Sequence, residues 1–497
     1  MHREIRNIRV EKRPPKLRFE GRVLLLVDDA DLIRRQLDGE DLELTPELRE
    51  KLRDQISTDE ITPAYICYYF DETLGEFPYL GLRAGGEAPI TRGTVKKGGF
   101  VASVAGKRRG KGSSREQSPY AEMMAGIRVV LAENIERIYN ENCQNLGILT
   151  STDFSLVERI RAGEEIALAE FTDGVDAITR EIIEYGGLFE FNVARLQGRV
   201  DIPALESQHV ESPADDAPAD ADESRTLRGA SEHRAGRTAW SPAEAAEETT
   251  TTSAPNNPPA AAGRAADHAG NGHRAARRTR VGGRPMTVAE KIFARAWVVD
   301  AANGEYGVPW VKPGDSGFVR TDYRFSHEYV TPMAAIFFEE KLGPDAKVND
   351  ASTILMFRDH LTYLHQVMPQ ERVQLGLLDV ATQLKDKQQE FAEKQGIRLY
   401  GERLGARLGS EAICHSKMLE EYAEPGQVIV GTDSHTPHSG AIGCIAFGVG
   451  TTAIFNSWIT RDVRVSVPPS FRVVIRGAKP DHVTAKDFML EILRHPY

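Results

Sequence analysis

One glycine-rich segment, GKGSSRE (residues 110–116), combines groups that can hold an anion. Two hydroxyl side chains and an arginine, just ahead of a predicted helix, favour a carboxylate or phosphate at backbone N–H groups and the helix N-terminus. Arg115 can grip a carboxylate with two parallel hydrogen bonds, and a serine, Ser113 or Ser114, can act as a base or nucleophile if positive neighbours stabilise its alkoxide. The alternative is structural, with a serine capping the helix and Arg115 pairing with Glu116 at the surface.

Two aspartate–histidine pairs follow apolar runs that are typical of buried strands. Asp433 and His435 lie in GTDSHT, directly after VIV, and Asp359 and His360 lie in RDH, directly after TILMF. Ligands of α/β sheets bind beyond the carboxyl ends of the strands, and an aspartate there can orient an imidazole for acid–base chemistry. The alternative for GTDSHT is a loop whose aspartate and histidine only satisfy local hydrogen bonds.

A third histidine, His415, lies shortly upstream of GTDSHT in the segment AICH. The C-terminal half of the chain therefore offers three histidines and two aspartates at predicted strand ends. Such a set can relay protons, or His360, His415, His435 and Asp433 can bind one divalent ion. The N-terminal anion site and this cluster together would suit a polycarboxylate held between two domains.

The cysteines exclude several classes of protein. There are four in 497 residues, which is too few for a disulfide scaffold, and no two form a Cys-x-x-Cys pair. A zinc ribbon and a local iron–sulfur motif are therefore absent from the sequence. We expect all four to pack in apolar cores: Cys67, Cys143, Cys414 and Cys444.

Charge and hydropathy exclude other classes. The net charge of -11 disfavours a general nucleic-acid binder. No apolar run reaches about 18 residues, so no membrane span is predicted. The basic N-terminus has no apolar stretch behind it and is not a signal peptide, so we expect a cytoplasmic protein.

Alternating strand and helix patterns predict two α/β units, the second with a largely parallel sheet. Residues 211–280 contain only Leu227 and Trp240 as large apolar side chains, too few to offset the entropy of ordering. We therefore predict folded units at residues 1–200 and 285–497, joined by a disordered linker at 201–284; a regulatory tail is the alternative interpretation. Predicted strands are residues 23–27, 63–69 (or a packed loop), 100–105, 353–357, 428–430 and 471–475. Predicted helices are residues 119–132, 380–394, 451–459 and 484–494, and a helix beginning at the capping box TVAE, residues 287–290.

The motifs of both units resemble the aconitase and 3-isopropylmalate dehydratase family. The N-terminal unit resembles the swivelling, small-subunit-like α/β domain, and the C-terminal unit resembles the first part of the α/β/α catalytic region of the large subunit. Single-chain aconitases carry the swivelling domain last, whereas it comes first here. The N-terminal motifs are ISTDEITP (56–63), GKGSSRE (110–116) and ENCQNLGIL (141–149). The C-terminal motifs are HEYVTP (327–332), RDH (358–360), AICH (412–415) and PGQVIVGTDSHTPHSGAIGCIAFGVGTT (425–452).

The resemblance implies a hydro-lyase or isomerase that dehydrates and rehydrates a hydroxy di- or tricarboxylate on a [4Fe–4S] cluster acting as a Lewis acid. It implies that Ser113 removes the carbon-bound proton and that Arg115, assisted by Ser114, clamps a substrate carboxylate. It implies that the Asp359–His360 pair protonates the leaving hydroxyl. The other implied residues are His415, Asp433 and His435 in the proton and water network, and His327 and Asp59 beside the substrate.

The sequence departs from the family at the cluster. The family's ligands lie in a Ser-Cys-Thr-Asn motif and a later Cys-x-x-Cys pair, and neither occurs here. We therefore expect a missing C-terminal part or a partner chain to carry the cluster, with this chain inactive alone and acting on a small hydroxy-carboxylate once complete. The alternatives are a cluster-free binding or regulatory protein of RNA-binding type, an inactive truncated fragment, and the metal-dependent enzyme above.

Overall fold

The structure is a computed structural model that describes residues 5, 7–112, 115–200, 202–208, 284–403 and 409–495. Met1–Val210 and Arg274–Tyr497 form one compact unit. The predicted linker falls mostly outside the described residues, so the division into two domains and a linker stays a prediction. Ser113 and Ser114 also lie outside the described residues.

The N-terminal part is built on a parallel sheet of four strands. The sheet has the order β1-β2-β3-β4. Its strands are short apolar runs, and β2 and β3 are buried along their whole length, as expected for a sheet covered on both faces. The strands are β1 (Arg22–Leu25), β2 (Phe100–Val104), β3 (Val129–Leu131) and β4 (Leu149–Ser151).

The C-terminal part contains a parallel sheet of five strands. Its order is β7-β6-β5-β8-β9, so β5, the first in sequence, lies at the centre. The predicted fold class, α/β with a largely parallel second sheet, is confirmed for the described residues. The strands are β5 (Tyr323–His327), β6 (Ile354–Phe357), β7 (Arg398–Tyr400), β8 (Val428–Gly431) and β9 (Ile445–Gly448).

Helices and short strand pairs complete both parts. The N-terminal α-helices are α1 (Ala30–Leu37), α2 (Pro46–Glu50), α3 (Thr58–Ile61), α4 (Thr94–Lys97), α5 (Gln117–Met124), α6 (Arg137–Leu146), α7 (Leu156–Arg161), α8 (Ala177–Tyr185) and α9 (Leu188–Leu196). The C-terminal α-helices are α10 (Val288–Ala296), α11 (Thr331–Leu342), α12 (Leu364–Val367), α13 (Gln370–Gln374), α14 (Leu377–Gln395), α15 (Cys414–Lys417), α16 (Thr451–Thr460) and α17 (Ala485–Arg494). Short strands pair as Lys16–Leu17 with Ile166–Ala167, Ile56–Ser57 with Arg109–Lys111, Val298–Asp300 with Glu305–Tyr306, Ser316–Arg320 with Asp462–Ser466, and Glu402–Arg403 with Gly409–Ser410.

Three predicted elements differ from the structure. The helix predicted at 119–132 ends at Met124, because Gly126 takes a φ of +111° and the chain turns into β3. Residues 63–69 contain a 3₁₀-helix, Ala64–Tyr68, and not a strand. Residues 471–475 lie exposed and form no strand within the described chain, since a strand needs a neighbour to receive its backbone hydrogen bonds.

One hydrophobic cluster contains residues of both parts. Helix α9 packs on the C-terminal part through stacked rings, with Phe191 and Phe318 centroids 5.8 Å apart and Phe189 and Phe455 centroids 5.6 Å apart. A buried ion pair joins the same surfaces, with Arg195 Nη2 2.6 Å from an Asp462 carboxylate oxygen. The N-terminal part is therefore held firmly against the C-terminal sheet. Among the described helices, none is both long and apolar enough to cross a membrane.

Candidate active site

The histidines and aspartates converge because three neighbouring strands end together. Strand β5 ends at His327, β6 leads directly into Asp359 and His360, and β8 leads into Asp433. Parallel strands present their carboxyl ends at one edge of a sheet, which is where ligands bind in α/β folds. The strand-end placement read from the sequence thus brings these side chains into one cluster.

Asp433 is the hub of this cluster. One carboxylate oxygen, Oδ1, lies 2.9 Å from His415 Nε2 and 3.0 Å from His435 Nδ1, and it accepts the His435 backbone N–H at 2.8 Å. The other oxygen, Oδ2, lies 3.5 Å from His360 Nε2. Hydrogen bonds from His360 and then His415 hold the pKa of Asp433 well below its usual range, so the carboxylate is charged at neutral pH.

His360 lies between two carboxylates. Its Nδ1 is 2.8 Å from Asp359 Oδ1, on the opposite side of the ring from Asp433. Burial opposes the charged imidazolium, but the hydrogen bonds to Asp359 and Asp433 outweigh it and raise the pKa of His360 to about 10. The second Asp359 oxygen accepts the Cys414 backbone N–H at 2.6 Å, which fixes the carboxylate. The raised pKa favours the charged imidazolium form of His360 at neutral pH.

Glu328 shapes the loop that carries this pair. Its fully buried carboxylate accepts the backbone N–H groups of Asp359, His360 and Leu361 at 3.3, 2.8 and 2.6 Å. Burial raises the pKa of Glu328. The sequence analysis missed this residue, although it follows His327 in the HEYVTP motif. The signal available was an acidic residue directly after a buried strand.

His327 is buried and neutral, and its ring packs against the ring of His360. Its ring stacks on that of His360, with centroids 4.0 Å apart and planes 21° from parallel. Burial, and then the charge of His360, lowers the pKa of His327 to about 3. Its Nδ1 accepts the Tyr329 backbone N–H at 3.3 Å.

Arg115 of the N-terminal part lines the same site. Its guanidinium binds Asp59, with Nη1 2.5 Å from Oδ1 and Nη2 3.4 Å from Oδ2. The surface pair of Arg115 with Glu116, the structural alternative for this segment, does not form, because Glu116 is buried and turned the other way. Burial opposes the charge of Arg115, but the bond to Asp59 outweighs it and raises the pKa of the guanidinium.

A cavity of about 250 Å³ lies between the two parts and unites these groups. Arg115 lines it from the N-terminal part, and His360 and Asp433 line it from the strand ends. Apolar side chains, among them Ala64, Val330 and Val449, complete the wall. The lining residues are Ala64, Cys67, Arg115, Glu116, Gln117, His327, Tyr329, Val330, His360, Thr432, Asp433, Ser434, Val449, Gly450 and Thr451.

Not every predicted residue faces this cavity. His415 and His435 contact Asp433 but do not line the cavity, and the His435 side chain is 80% exposed. Asp59 reaches the site only through Arg115. Ser113 and Ser114 lie outside the described residues, next to Arg115 in sequence. Their roles, like those of the other predicted residues, remain proposals.

Metal ligands are present as imidazoles and carboxylates. Three overlapping groups have donor atoms within 4.8 Å of one another, and no cysteine belongs to any of these groups among the described residues. The hydrogen bonds of His360, His415 and His435 with Asp359 and Asp433 hold the same side chains close together. The groups are His327, His360 and Asp433; His415, Asp433 and His435; and Glu328, Asp359 and His360.

The four cysteines are buried at different places in the structure. Cys67 lines the cavity, and burial raises the pKa of its thiol to about 11. Cys143 is buried in the N-terminal core, whereas Cys414 and Cys444 are buried in the core of the C-terminal sheet. Of these thiols, only that of Cys67 lines the cavity in the described part of the chain, and the Cys414 thiol contacts Asp359.

Comparison with known proteins gives a match within each of the two parts. Residues 297–496 match the aconitase family (aconitate hydratase), and residues 92–152 match the aconitase C-terminal domain. The 3-isopropylmalate dehydratase large subunit 1 of Archaeoglobus fulgidus is 33% identical over 208 residues, which are 42% of this chain and 43% of that protein. The chloroplastic 3-isopropylmalate dehydratase large subunit of Arabidopsis thaliana is 30% identical over 214 residues, 42% of this chain and 38% of that protein.

One solved structure, the 3-isopropylmalate dehydratase (leuD) of Methanocaldococcus jannaschii, is 24% identical and covers 28% of this chain and 87% of its own, with a TM-score of 0.21. The chain spans less than half the length of the curated relatives it matches. The two family matches fall on different parts of the chain and contain all the motifs named above except ISTDEITP at residues 56–63. Residues 297–496 and 92–152 of this chain therefore belong to the aconitase and 3-isopropylmalate dehydratase family.

Proposed function

We propose that this chain supplies the proton-transfer and carboxylate-binding groups of a hydro-lyase of the aconitase or 3-isopropylmalate dehydratase type. The substrate class is a small hydroxy di- or tricarboxylate. One observation carries the proposal: Arg115 and the His360 imidazolium, held between Asp359 and Asp433, line one cavity of about 250 Å³. A cation that binds a carboxylate and an acid that protonates the leaving hydroxyl are two of the groups that removal of water from a hydroxy acid uses.

The residues divide the reaction between them. Arg115 binds a substrate carboxylate and orients the carbon skeleton. His360 donates its proton to the leaving hydroxyl, so that the C–O bond breaks and water departs; Asp359 and Asp433 stabilise the imidazolium beforehand. Ser113 takes the proton from the adjacent carbon and Ser114 assists Arg115, both by resemblance to the family. The electrons of the broken C–H bond form the double bond.

The family implies a [4Fe–4S] cluster, and the residues present do not fit one. Such a cluster takes its protein ligands from cysteine thiolates, and only Cys67 of the described thiols lines the cavity. We therefore propose that the cluster ligands come from another polypeptide or from sequence beyond this chain. Turnover is then expected only when that part is supplied.

Carboxylate binding by the chain tests the proposal directly. Calorimetric titration with citrate and 3-isopropylmalate is expected to show binding, and Arg115→Lys is expected to weaken it about 10- to 100-fold, the value of a charged hydrogen bond of about 1.5–3 kcal/mol. Arg22→Lys is the matched control, since Arg22 is similarly exposed (22% against 28% of the side chain) and also pairs with an aspartate. Absence of binding to the wild-type chain, or equal affinity of the two variants, would reject the proposal.

An activity assay distinguishes the proposed hydro-lyase from the alternative, a cluster-free binding protein. The chain is mixed with a cluster-loaded polypeptide that carries the missing cysteine motifs, and absorbance of the unsaturated product is followed. Turnover that is lost in His360→Asn supports the hydro-lyase. A cluster that assembles without turnover, together with a salt-dependent gel shift on RNA, would favour the binding protein instead.

A further inference from the structure

The side chain of Glu116 crosses from the N-terminal part into the C-terminal part. Its carboxylate lies at the start of helix α16, where the Thr452 backbone N–H donates to Oε2 at 2.8 Å and the Thr452 hydroxyl donates to Oε1. The residue is 1% exposed, although it follows the half-buried Arg115. Glu116 is therefore a buried contact between segments 336 residues apart in the chain.

Helix α16 lacks a cap of its own. Its N-cap residue is Gly450, which has no side chain to accept the free N–H groups of the first turn. A Cβ atom at position 450 would lie 2.5 Å from Glu116 Oε2 and 2.7 Å from Asn142 Oδ1. A carboxylate at this position also interacts favourably with the positive end of the helix dipole. The glycine and the distant glutamate together form one cap.

We infer that Glu116 is a positioning residue for substrate binding, which holds Arg115 against the cavity by capping helix α16 across the interface between the two parts. The inference rests on the proposed function of Arg115. A second contact supports it, because Gln117 Nε2 donates to the Tyr329 backbone oxygen at 3.3 Å. Arg115 is thus fixed by its own bond to Asp59 and by the three cross-interface hydrogen bonds of its chain neighbours Glu116 and Gln117.

A purely structural role makes a different prediction, and one pair of variants separates the two. Glu116→Ala removes the cap and the crossing contact together. Adding Gly450→Ser gives α16 its own serine cap. The new Cβ would lie 2.7 Å from Asn142 Oδ1, and the truncation of Glu116 to alanine leaves room for that amide to move. The double variant therefore restores the helix but not the tie to Arg115.

The measurements are melting temperature, citrate affinity by calorimetry, and the rate at which phenylglyoxal modifies Arg115, read by peptide mass spectrometry. Glu116→Ala is expected to melt earlier, to bind citrate about tenfold more weakly or worse, and to react faster at Arg115. The double variant is expected to recover the melting temperature while affinity and Arg115 reactivity stay altered. Glu136→Ala, at an N-cap that makes no side-chain bond, is the control and should match wild type in all three.

Recovery of affinity and Arg115 protection together with melting temperature in the double variant would show that Glu116 is only a helix cap. Wild-type affinity in Glu116→Ala would also overturn the inference. If Glu116→Ala does not fold, Glu116→Gln keeps one acceptor oxygen in the same volume and should still show a several-fold loss of affinity and faster modification. A wild-type chain that binds no citrate rejects the proposed function instead, and the phenylglyoxal rates then still decide whether Glu116 positions Arg115.

Discussion

Replacing Asp433 by asparagine removes one of the two carboxylates that keep His360 charged. The side chain keeps its shape, so the hydrogen bond from the His435 backbone N–H can persist. His360 keeps Asp359 at 2.8 Å but loses the negative charge 3.5 Å from its Nε2. We therefore expect the pKa of His360 to fall from about 10 while remaining above the ordinary value of a histidine.

The distance sets the size of the fall. Two unit charges 3.5 Å apart interact by about 5 kcal/mol at an effective dielectric constant of about 20 and by about 1 kcal/mol in water. Both side chains are partly exposed, at 28% for His360 and 16% for Asp433, so solvent screening places the expected loss at about 1–3 kcal/mol. At about 1.4 kcal/mol for each pKa unit, the pKa of His360 should fall by about one to two units.

The His360–Asp433 pair makes the stability difference between wild type and variant depend on pH. The raised pKa of His360 contributes stability that is fully present below its unfolded value of 6.5 and is lost as pH rises through about 10. The lowered pKa of Asp433 contributes stability present above 3.8 and lost as pH falls through its folded value. The difference in unfolding free energy between wild type and Asp433→Asn should therefore be largest between about pH 3.8 and pH 6.5, where both contributions are fully present.

Nuclear magnetic resonance of the histidine ring carbons and protons across pH measures the pKa directly. Asp31→Asn is the control, because Asp31 is exposed and lies on helix α1 of the N-terminal part. Two results would refute the reasoning: a wild-type His360 that titrates near 6.5, or an Asp433→Asn variant whose His360 titrates as in wild type. Urea unfolding at several pH values checks the stability profile independently.

Three further outcomes are expected. Glu328→Ala should lower the unfolding free energy by about 2 kcal/mol or more, since it leaves buried N–H groups unpaired; an unchanged urea midpoint would contradict this. Asp462→Ala should cost about 3–5 kcal/mol by stranding the buried Arg195, and thermal unfolding that matches wild type would refute it. Burial, with a smaller contribution from Glu141, raises the pKa of Glu116 to about 7, so its stability contribution should decline as pH rises from 4.5 through 7. Glu116→Gln should flatten that decline, and a pH profile identical to wild type would count against it.

The sequence predicted the convergence of the cluster because strand ends are readable locally. Apolar runs before Asp359 and Asp433 mark β6 and β8, and parallel strands place their ends together whatever their order. The capping box at residues 287–290 and the helix at 377–395 were predictable for the same reason, since caps and helical periodicity are local. The family prediction from motifs is confirmed.

Contacts between distant segments were not predictable from local pattern. The structural alternative pairs Glu116 with Arg115 at the surface, and nothing near Glu116 in sequence indicates that Thr452 donates hydrogen bonds to it. The 3₁₀-helix at residues 64–68 and the exposed segment at 471–475 show the same limit. Apolar and aromatic composition favours burial or a strand, but only the presence of a neighbouring strand decides the outcome.

The shared cap at helix α16 also constrains how this sequence can change over time. A side chain at position 450 would push the Glu116 carboxylate away from Thr452, and truncation of Glu116 to alanine would remove that cap. Either substitution alone is therefore unfavourable, whereas Gly450→Ser together with Glu116→Ala keeps the helix capped. Homologous chains should carry the two positions in matched states, so that covariation between residues 116 and 450 records the docking of one part on the other.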